Sequence, residues 1–179
     1  RQYFDKSEAG EAALRMDIDA LYNDVEWDWF RNGSQEVLFW HWSPGYNWEM
    51  NFPIRGWNEC LITYILAASS PTHGIPASVY QQGWASGGAG GFVNGNTYYG
   101  YQLSLGPDLG GPLFFAHYSF LGIDPTGLKD LYGDYEVQTK NHTLINYSYC
   151  VNNPKKWFGY SDRVWGLTAS DIANGYDAA

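Results

Sequence analysis

The stretch that decides the fold is "GWNECLITYILAASSPTH", residues 56–73, in which a single acid stands at the head of an apolar run. From Cys60 to Ala68 the only conventional polar group is Thr63. A continuous apolar run that is closed by Ser-Ser-Pro is typical of a buried helix that ends at a proline. The sequence therefore predicts a buried helix over residues 57–69.

Glu59, the acid at the head of this helix, has two interpretations. If Gly56 is the N-cap, Glu59 falls at N3, where its carboxylate can reach back to the N–H of the cap residue. A carboxyl beside Trp57 and an apolar helix could instead be held out of water, which raises its pKa as a general acid requires. The helix N-terminus favours the anion and opposes that shift, so spacing alone leaves both interpretations open.

The composition describes an aromatic, glycine-rich and acidic chain. Its 179 residues include 9 Trp, 15 Tyr, 9 Phe and 21 Gly, while charged residues make up only 16%. Disordered chains have few aromatic residues and high charge, so this composition excludes disorder. The net charge of -9 opposes binding to nucleic acid or to anionic lipid. No apolar run reaches the roughly 18 residues of a membrane span, and we expect neither nucleic acid nor membrane as a partner.

Helical spacing of apolar residues recurs along most of the chain. Residues 36–54, "EVLFWHWSPGYNWEMNFPI", alternate aromatic residues around a Ser-Pro-Gly turn and predict a small hairpin or extended loop. Residues 83–112 are a long glycine-rich loop of the kind that is usually functional. The predicted helices cover residues 7–31, 57–69, 76–82, 112–122 and 127–152. We expect an all-α fold with its functional site on the loops.

Several classes of site lack their sequence signature. None of the four histidines has a zinc-type partner at i+4. "SGGAGGF" lacks the Lys-Ser/Thr ending of a phosphate loop, and no G-x-S-x-G elbow is present. We therefore expect no metal and no cofactor, and we expect Cys60 and Cys150 to be buried free thiols.

One class of function remains compatible with an acidic, tryptophan-rich chain, and this is the recognition of sugars. Aromatic faces stack on sugar rings, polar side chains bind hydroxyls, and carboxyl pairs perform acid/base work on glycosidic bonds. Three blocks make this specific and resemble the bacterial family described as putative glucoamylases: "WSPGYNWEMNFPIRGWNECLITYILAASSPTH", "GGPLFFAHYSFLGIDPTGLKDLYGDY" and "WGLTASDI". Relatives in that family include endo-β-1,2-glucanases and the transglycosylase domain of cyclic β-1,2-glucan synthase.

The resemblance implies an (α/α)6 toroid with the sugar site in its central cavity. It implies that Glu59 is the general acid and that Asp171, in "TASD", is a second catalytic candidate. The implied substrate-binding residues lie in the same blocks: Trp42, Trp57, Asn58, His117, Tyr118, Asp124 and Trp165. The family commonly has Arg where Thr126 stands here.

A complete toroid needs twelve helices, and the sequence predicts five or six. Relatives also carry an acidic helical segment upstream of "RQYFDK", where this sequence starts. We therefore expect residues 1–179 to be the C-terminal part of one toroid domain. Its partner would be the N-terminal half of the same polypeptide or a neighbouring copy, and without it the chain would be inactive.

The function expected from this resemblance is hydrolysis of β-1,2-glucan or a related bacterial β-glucan, with inversion at the anomeric carbon. Two alternatives are glucan transglycosylation, which needs the same acid, and carbohydrate binding without turnover. A polymer-degrading enzyme of this kind is expected outside the cytoplasm, in the periplasm or secreted.

Overall fold

The computed structural model describes residues 1–178, and helices joined by long loops dominate it. Within this part of the chain the α-helices are Ala9–Asp24 (α1), Leu61–Ser69 (α2), Phe114–His117 (α3) and Tyr135–Asn152 (α4). Single-turn 3-10 helices and one π-helix also occur: Trp29–Arg31, Ser86–Gly88, Asp108–Gly110, Ser119–Leu121 and the π-helix Val79–Trp84. Two antiparallel pairs complete the set: Thr97–Tyr98 (β1) with Tyr101–Gln102 (β2), and Ala169–Ile172 (β3) with Gly175–Ala178 (β4).

The chain divides into two compact units. The first unit comprises Arg1–Ile54 and Thr63–Gly83, and the second comprises Arg55–Ile62 and Trp84–Ala179. The single domain expected over residues 1–179 stays a prediction. None of the helices among residues 1–178 has the length and the apolar composition needed to cross a membrane.

Tyr64 organises the core of the first unit. Its side chain is buried, its hydroxyl donates to the carbonyl oxygen of Ile54 at 2.8 Å, and the N–H of Leu38 donates to it at 3.0 Å. The same two residues pair directly, because Ile54 N–H donates to the Leu38 oxygen at 2.8 Å. The Tyr64 hydroxyl therefore joins the two ends of the hairpin or extended loop that was predicted over residues 36–54. The two arms of this segment pair in an isolated bridge between Phe39 and Pro53.

Gln138 of α4 organises the core of the second unit. Its buried amide oxygen accepts from the N–H groups of Ser104 and Leu105 at 3.1 and 3.0 Å, and its nitrogen donates to the Leu105 oxygen at 3.0 Å. The side chain thus takes the place of a neighbouring strand. This contact orders the end of the long glycine-rich loop at residues 83–112. The sequence predicted no helix or strand within that loop.

The loop also contains the β1–β2 hairpin, which turns at Tyr99 and Gly100. Both residues have positive φ, 52° and 87°. A two-residue hairpin turn of this hand matches the twist of its strands and favours glycine at the second position. Glycine at 100 is therefore required by the hairpin itself.

Two predicted helices are shorter than their sequence patterns. The pattern over 7–31 stops as an α-helix at Asp24, and the tryptophan at 29 packs against Trp42 and Trp48 with ring centroids 5.1 and 4.8 Å apart. Aromatic packing there replaces the continuation of the helix. The pattern over 127–152 begins as α4 only at Tyr135, because Asp134 caps the helix by accepting from the N–H of Val137 at 3.2 Å.

The apolar face of α1 is only partly covered in the described chain, where Ile18 and Tyr22 are half-buried. No residue of α1 is buried, and Leu14, Met16 and Leu21 are exposed. Leu61, Tyr64 and Ala67 of α2 are buried, as are six residues of α4.

Candidate functional site

Glu59 lies on a turn that precedes α2, so the helix predicted from residue 57 begins four residues later than expected, at Leu61. Asn58 shapes this turn: its side-chain oxygen accepts from Cys60 N–H at 2.9 Å and its nitrogen donates to the Arg55 oxygen at 3.1 Å. The amide of Asn58, a predicted sugar ligand, is therefore engaged in the turn. Burial raises the pKa of the adjacent Cys60 thiol to about 11, and the negative charge of Glu59 adds to the rise. Both cysteines are free thiols, as predicted; Cys150 is also buried as predicted, whereas Cys60 is only half-buried.

The capping box does not form around Glu59. The N–H of Gly56, which it would have to satisfy, donates to the Trp84 oxygen at 2.9 Å. Within residues 1–178 the half-buried carboxylate of Glu59 has no hydrogen bond or ion pair. The side chain is thus left for a role other than capping.

Ser119 joins the Glu59 turn to the segment that follows α3. Its hydroxyl donates to the carbonyl oxygen of Glu59 at 2.8 Å and accepts from the N–H of Ile62 at 3.0 Å. Ser119 is 1% exposed, whereas the preceding Tyr118 is 62% exposed. A buried hydroxyl with both of its roles satisfied fixes the backbone on either side of Glu59 and places the turn next to an exposed tyrosine. No local sequence pattern indicates this contact, because the two residues are 60 positions apart.

His117 ends α3 and contacts α4 through Thr143. Its Nε2 lies 2.9 Å from the Thr143 hydroxyl, and that hydroxyl donates its own proton to the Thr139 oxygen at 2.8 Å. Because the hydroxyl has one proton, Nε2–H of His117 must be the donor, which leaves Nδ1 as an acceptor in the neutral ring. Burial lowers the pKa of His117, which favours that neutral form.

Trp165 packs on the same face of α4, one turn further along. Its ring meets that of Tyr147 edge to face with centroids 5.3 Å apart, and Tyr147 follows Thr143 by four residues. The N–H of Leu113 donates to the Leu167 oxygen at 3.0 Å and ties this segment to the start of α3. Trp165 remains 44% exposed. The predicted site residues thus come from three separate parts of the chain. Ser119 connects the Glu59 turn to the segment of His117 and Tyr118, and α4 connects His117 to Trp165.

The two aspartates that were predicted for the site are both exposed. Asp124 accepts from the N–H of Thr126 at 2.9 Å, and this hydrogen bond lowers the pKa of Asp124. Asp171 lies on β3 opposite Tyr176 of β4. Their predicted roles, sugar contact for Asp124 and catalysis for Asp171, stay predictions.

The remaining two tryptophans are packing residues in this structure. Trp57 is 5% exposed, and its ring lies 5.7 Å from that of Tyr135. Trp42 is half-buried and belongs to the first unit, where it packs against Trp29. Their sugar-stacking roles also stay predictions. No group of three metal-ligating side chains occurs among residues 1–178.

His142, which the sequence marked only as a mid-helix histidine, is fully buried. Its Nε2 donates to the Gly111 oxygen at 2.9 Å, and its Nδ1 has no hydrogen-bond partner among the described residues. Burial is the largest cause that lowers the pKa of His142, and the nearby His117 adds to the effect. A protonated ring would bury an unpaired Nδ1–H, so the folded chain holds this histidine neutral.

Two histidines with lowered pKa give a pH dependence of stability. The unfolded chain takes up their protons near the ordinary pKa of 6.5, before the folded chain does. Their contribution to the free energy of unfolding is therefore fully present above pH 6.5 and falls as pH drops toward the lowered values. We expect a lower urea midpoint at about pH 5.5 than at about pH 7.5, a range above most carboxyl titration. A His142→Gln variant should flatten the slope, and a midpoint that rises on acidification would contradict this account.

A cavity of about 520 Å³ opens beside α4 within the second unit. Asn146 and Tyr149 line it from α4, Lys155, Trp157 and Tyr160 from the segment after the helix, and Asp108 from the glycine-rich loop. None of the predicted site residues contributes to its lining. The sequence could have drawn attention to it only through the aromatic residues of "NNPKKWFGYSD", residues 152–162.

Comparison with known proteins finds a protein family and a related enzyme to which the chain is similar. Residues 51–179 match the family described as putative glucoamylase. The chain is 41% identical over 194 residues to an exo β-1,2-glucooligosaccharide sophorohydrolase (non-reducing end) of Parabacteroides distasonis, and the match covers 99% of this chain and 27% of the relative.

Two solved structures agree closely with the fold. An endo-β-1,2-glucanase from Chitinophaga pinensis, in complex with sophorotriose and glucose, is 54% identical with a TM-score of 0.89; the match covers 99% of this chain and 43% of that one. A β-1,2-glucanase from Parabacteroides distasonis is 42% identical with a TM-score of 0.90, over 99% of this chain and 28% of that one. The chain therefore spans less than half of the length of each of these relatives.

Proposed function

The chain belongs to the putative glucoamylase family, and from this premise we propose that it is part of a glycoside hydrolase that cleaves β-1,2-glucan, with Glu59 as general acid. The observation that carries the proposal is the Ser119 contact, which fixes the backbone of Glu59 beside the exposed Tyr118 and leaves the carboxylate without a structural partner. Relatives that are named as β-1,2-glucan hydrolases support the substrate class.

The proposed reaction is an inverting hydrolysis. The Glu59 carboxyl gives its proton to the leaving glycosidic oxygen as the bond to the anomeric carbon breaks. A water oxygen attacks that carbon from the opposite face and gives its proton to a second carboxylate. Inverting enzymes hold the two carboxyl groups about 6.5–9.5 Å apart to admit this water. The second carboxylate is Asp171 or an acid from the remainder of the polypeptide.

Three exposed or partly exposed side chains would meet the sugar. The rings of Tyr118 and Trp165 offer faces on which a glucose unit can stack. The neutral His117 presents Nδ1 as an acceptor for a sugar hydroxyl, since its Nε2 is engaged by Thr143. A site of this kind needs no net positive charge, which suits a chain with a net charge of -9.

The proposed architecture is an (α/α)6 toroid that the rest of the polypeptide, or a neighbouring copy, completes. The exposed Leu14 and Leu21, which lie seven residues apart on one face of α1, support this arrangement, because an uncovered apolar patch on a soluble protein marks a contact surface. The chain also spans less than half of its relatives. An enzyme that degrades a polymeric glucan is further proposed to act outside the cytoplasm, in the periplasm or secreted.

One incubation tests the activity. The full-length protein is mixed with linear β-1,2-glucan, and the products are followed by reducing-end release and mass spectrometry. Short linear products support hydrolysis, cyclic or lengthened products support transglycosylation, and binding without turnover supports a carbohydrate-binding role. Polarimetry of the fresh product reads the anomeric configuration, and retention would contradict the inverting mechanism.

Ser119→Ala tests the placement of Glu59. The change leaves the Ile62 N–H without its partner and the Glu59 carbonyl oxygen without its donor, at a cost of about 1–3 kcal/mol in free energy of unfolding. We expect kcat on β-1,2-glucan to fall by about tenfold, because small misplacements of catalytic groups are costly. Ser161→Ala, which alters an exposed local turn, is the matched control. Activity that is unchanged in Ser119→Ala would show that Glu59 does not depend on this contact.

A further inference from the structure

The cavity beside α4 has the features of a binding site rather than of a packing defect. Its volume of about 520 Å³ lies within the range of about 300–1,000 Å³ that is typical of ligand pockets. Its lining combines aromatic rings with an amide, an ammonium group and carboxylates. An empty packing defect would instead be lined by apolar side chains.

Asn146 provides an oriented donor in this cavity. The side chain is only 5% exposed, and its oxygen accepts from the N–H of Leu167 at 3.0 Å. That hydrogen bond determines which way round the amide lies, so its NH₂ group is the remaining polar end. Within residues 1–178 the NH₂ group has no hydrogen-bond partner. A buried amide that leaves two N–H donors unpaired is expected to use them on a ligand or water.

Trp157 lines the cavity with an aromatic side chain that stands on an ordered backbone. The backbone N–H of Trp157 donates to the Asn153 side-chain oxygen at 2.7 Å. The backbone carbonyl oxygen of Trp157 accepts from the Asn153 side-chain nitrogen at 2.8 Å. Asn153 is itself fixed as the left-handed C-cap of α4. The indole is 54% exposed although its backbone is held at both ends. A backbone that is already ordered lowers the entropic cost of binding a ligand there.

The charges of the lining favour a neutral polyol over an anion. Lys155 has no ion pair among the described residues, and it faces the cavity together with Asp108 and Asp177. One cation and two carboxylates sum to a negative site, which disfavours phosphate and carboxylate ligands. Donors and acceptors around an aromatic face match the hydroxyl groups and the apolar face of a pyranose ring.

We propose that this cavity is a glucose-binding subsite, which holds a unit of the β-1,2-glucan through stacking on Trp157 and hydrogen bonds to Asn146 and Lys155. The choice of glucan as ligand rests on the proposed function. The subsite would retain the polymer between cleavage events, since its lining includes neither Glu59 nor the other residues that were predicted for the catalytic site. It contributes to affinity and not to the proton transfer.

The test is calorimetric titration of sophorotriose into the full-length Glu59→Gln variant, which binds sugar without cleaving it. We expect two sugars per chain, one of which is lost when Trp157→Ala is added and the affinity of the cavity falls by about tenfold or more. Phe158→Ala is the matched control, because Phe158 is adjacent, fully exposed and absent from the cavity lining. Lys155→Met against Lys156→Met gives a second pair that depends on no aromatic truncation.

The outcomes separate this proposal from the proposed function. A single sugar per chain before mutation, unchanged binding in both Trp157→Ala and Lys155→Met, or equal losses in the control variants would overturn the subsite. Reducing-end release by the wild-type protein is measured apart from it. Two bound sugars, together with a wild-type protein that does not hydrolyse the glucan, would support the glucose-binding subsite and contradict the catalytic assignment.

Discussion

Glu59→Gln in the full-length protein is expected to lower turnover of β-1,2-glucan by about 10²–10⁴-fold, the usual contribution of a general acid. The amide keeps the shape of the side chain but has no proton to give to the leaving oxygen. The fold should persist, because the turn is held through the carbonyl oxygen of Glu59 and not through its carboxylate. We expect the free energy of unfolding to change by no more than about 0.5 kcal/mol.

The loss of activity in Glu59→Gln should depend on the leaving group of the substrate. This dependence distinguishes a general acid from a residue that only shapes the site. A β-glucoside of nitrophenol needs little protonation to depart, so Glu59→Gln should lose far less activity on it than on the glucan. The limb of the pH–rate profile that falls at high pH should disappear along with the acid. Glu136→Gln, an exposed acid on α4, is the control that should remain active. Near wild-type turnover of the glucan by Glu59→Gln would end the assignment.

The sequence was sufficient to identify the helices that carry the site, but not their ends. The apolar run after Glu59 is a helix, yet it begins at Leu61 because Asn58 closes a turn ahead of it. The start of α4 likewise depends on the side chain of Asp134. Helical periodicity reports which residues share a face and carries little information about where hydrogen bonding begins.

The connections within the site could not be read from the sequence, because each joins residues far apart in the chain. Ser119 is separated by 60 positions from Glu59, and His117 by 26 from Thr143. No local pattern encodes such pairs. The resemblance to a family supplied Glu59, His117 and Tyr118, whereas the cavity at Asn146 and Trp157 became visible only once the chain was folded.

Gly110→Ala is expected to be among the most destabilising glycine-to-alanine substitutions in the second unit. A Cβ at this position would overlap the ring of His142, whose Cδ2 would be its nearest neighbour. That ring cannot easily move, since it is fully buried and its Nε2 donates to the Gly111 oxygen. The backbone adds strain, because φ at Gly110 is +97°. Overpacking and backbone strain each cost about 1–3 kcal/mol, so we expect a loss of about 2–6 kcal/mol in free energy of unfolding.

Gly159→Ala separates the two causes of that loss. Its φ of +90° is close to that of Gly110, but no heavy atom lies within 4 Å of the Cβ that would be added. It should therefore show the backbone strain alone, about 1–2 kcal/mol. Urea denaturation of both variants measures the difference, which is the cost of displacing His142. A displaced His142 should also regain solvent, so Gly110→Ala should weaken the acid-side fall in stability that this histidine causes in the wild-type protein. Equal midpoints for the two alanine variants would show that the ring yields freely and that the contact between Gly110 and His142 does not hold α4 to the glycine-rich loop.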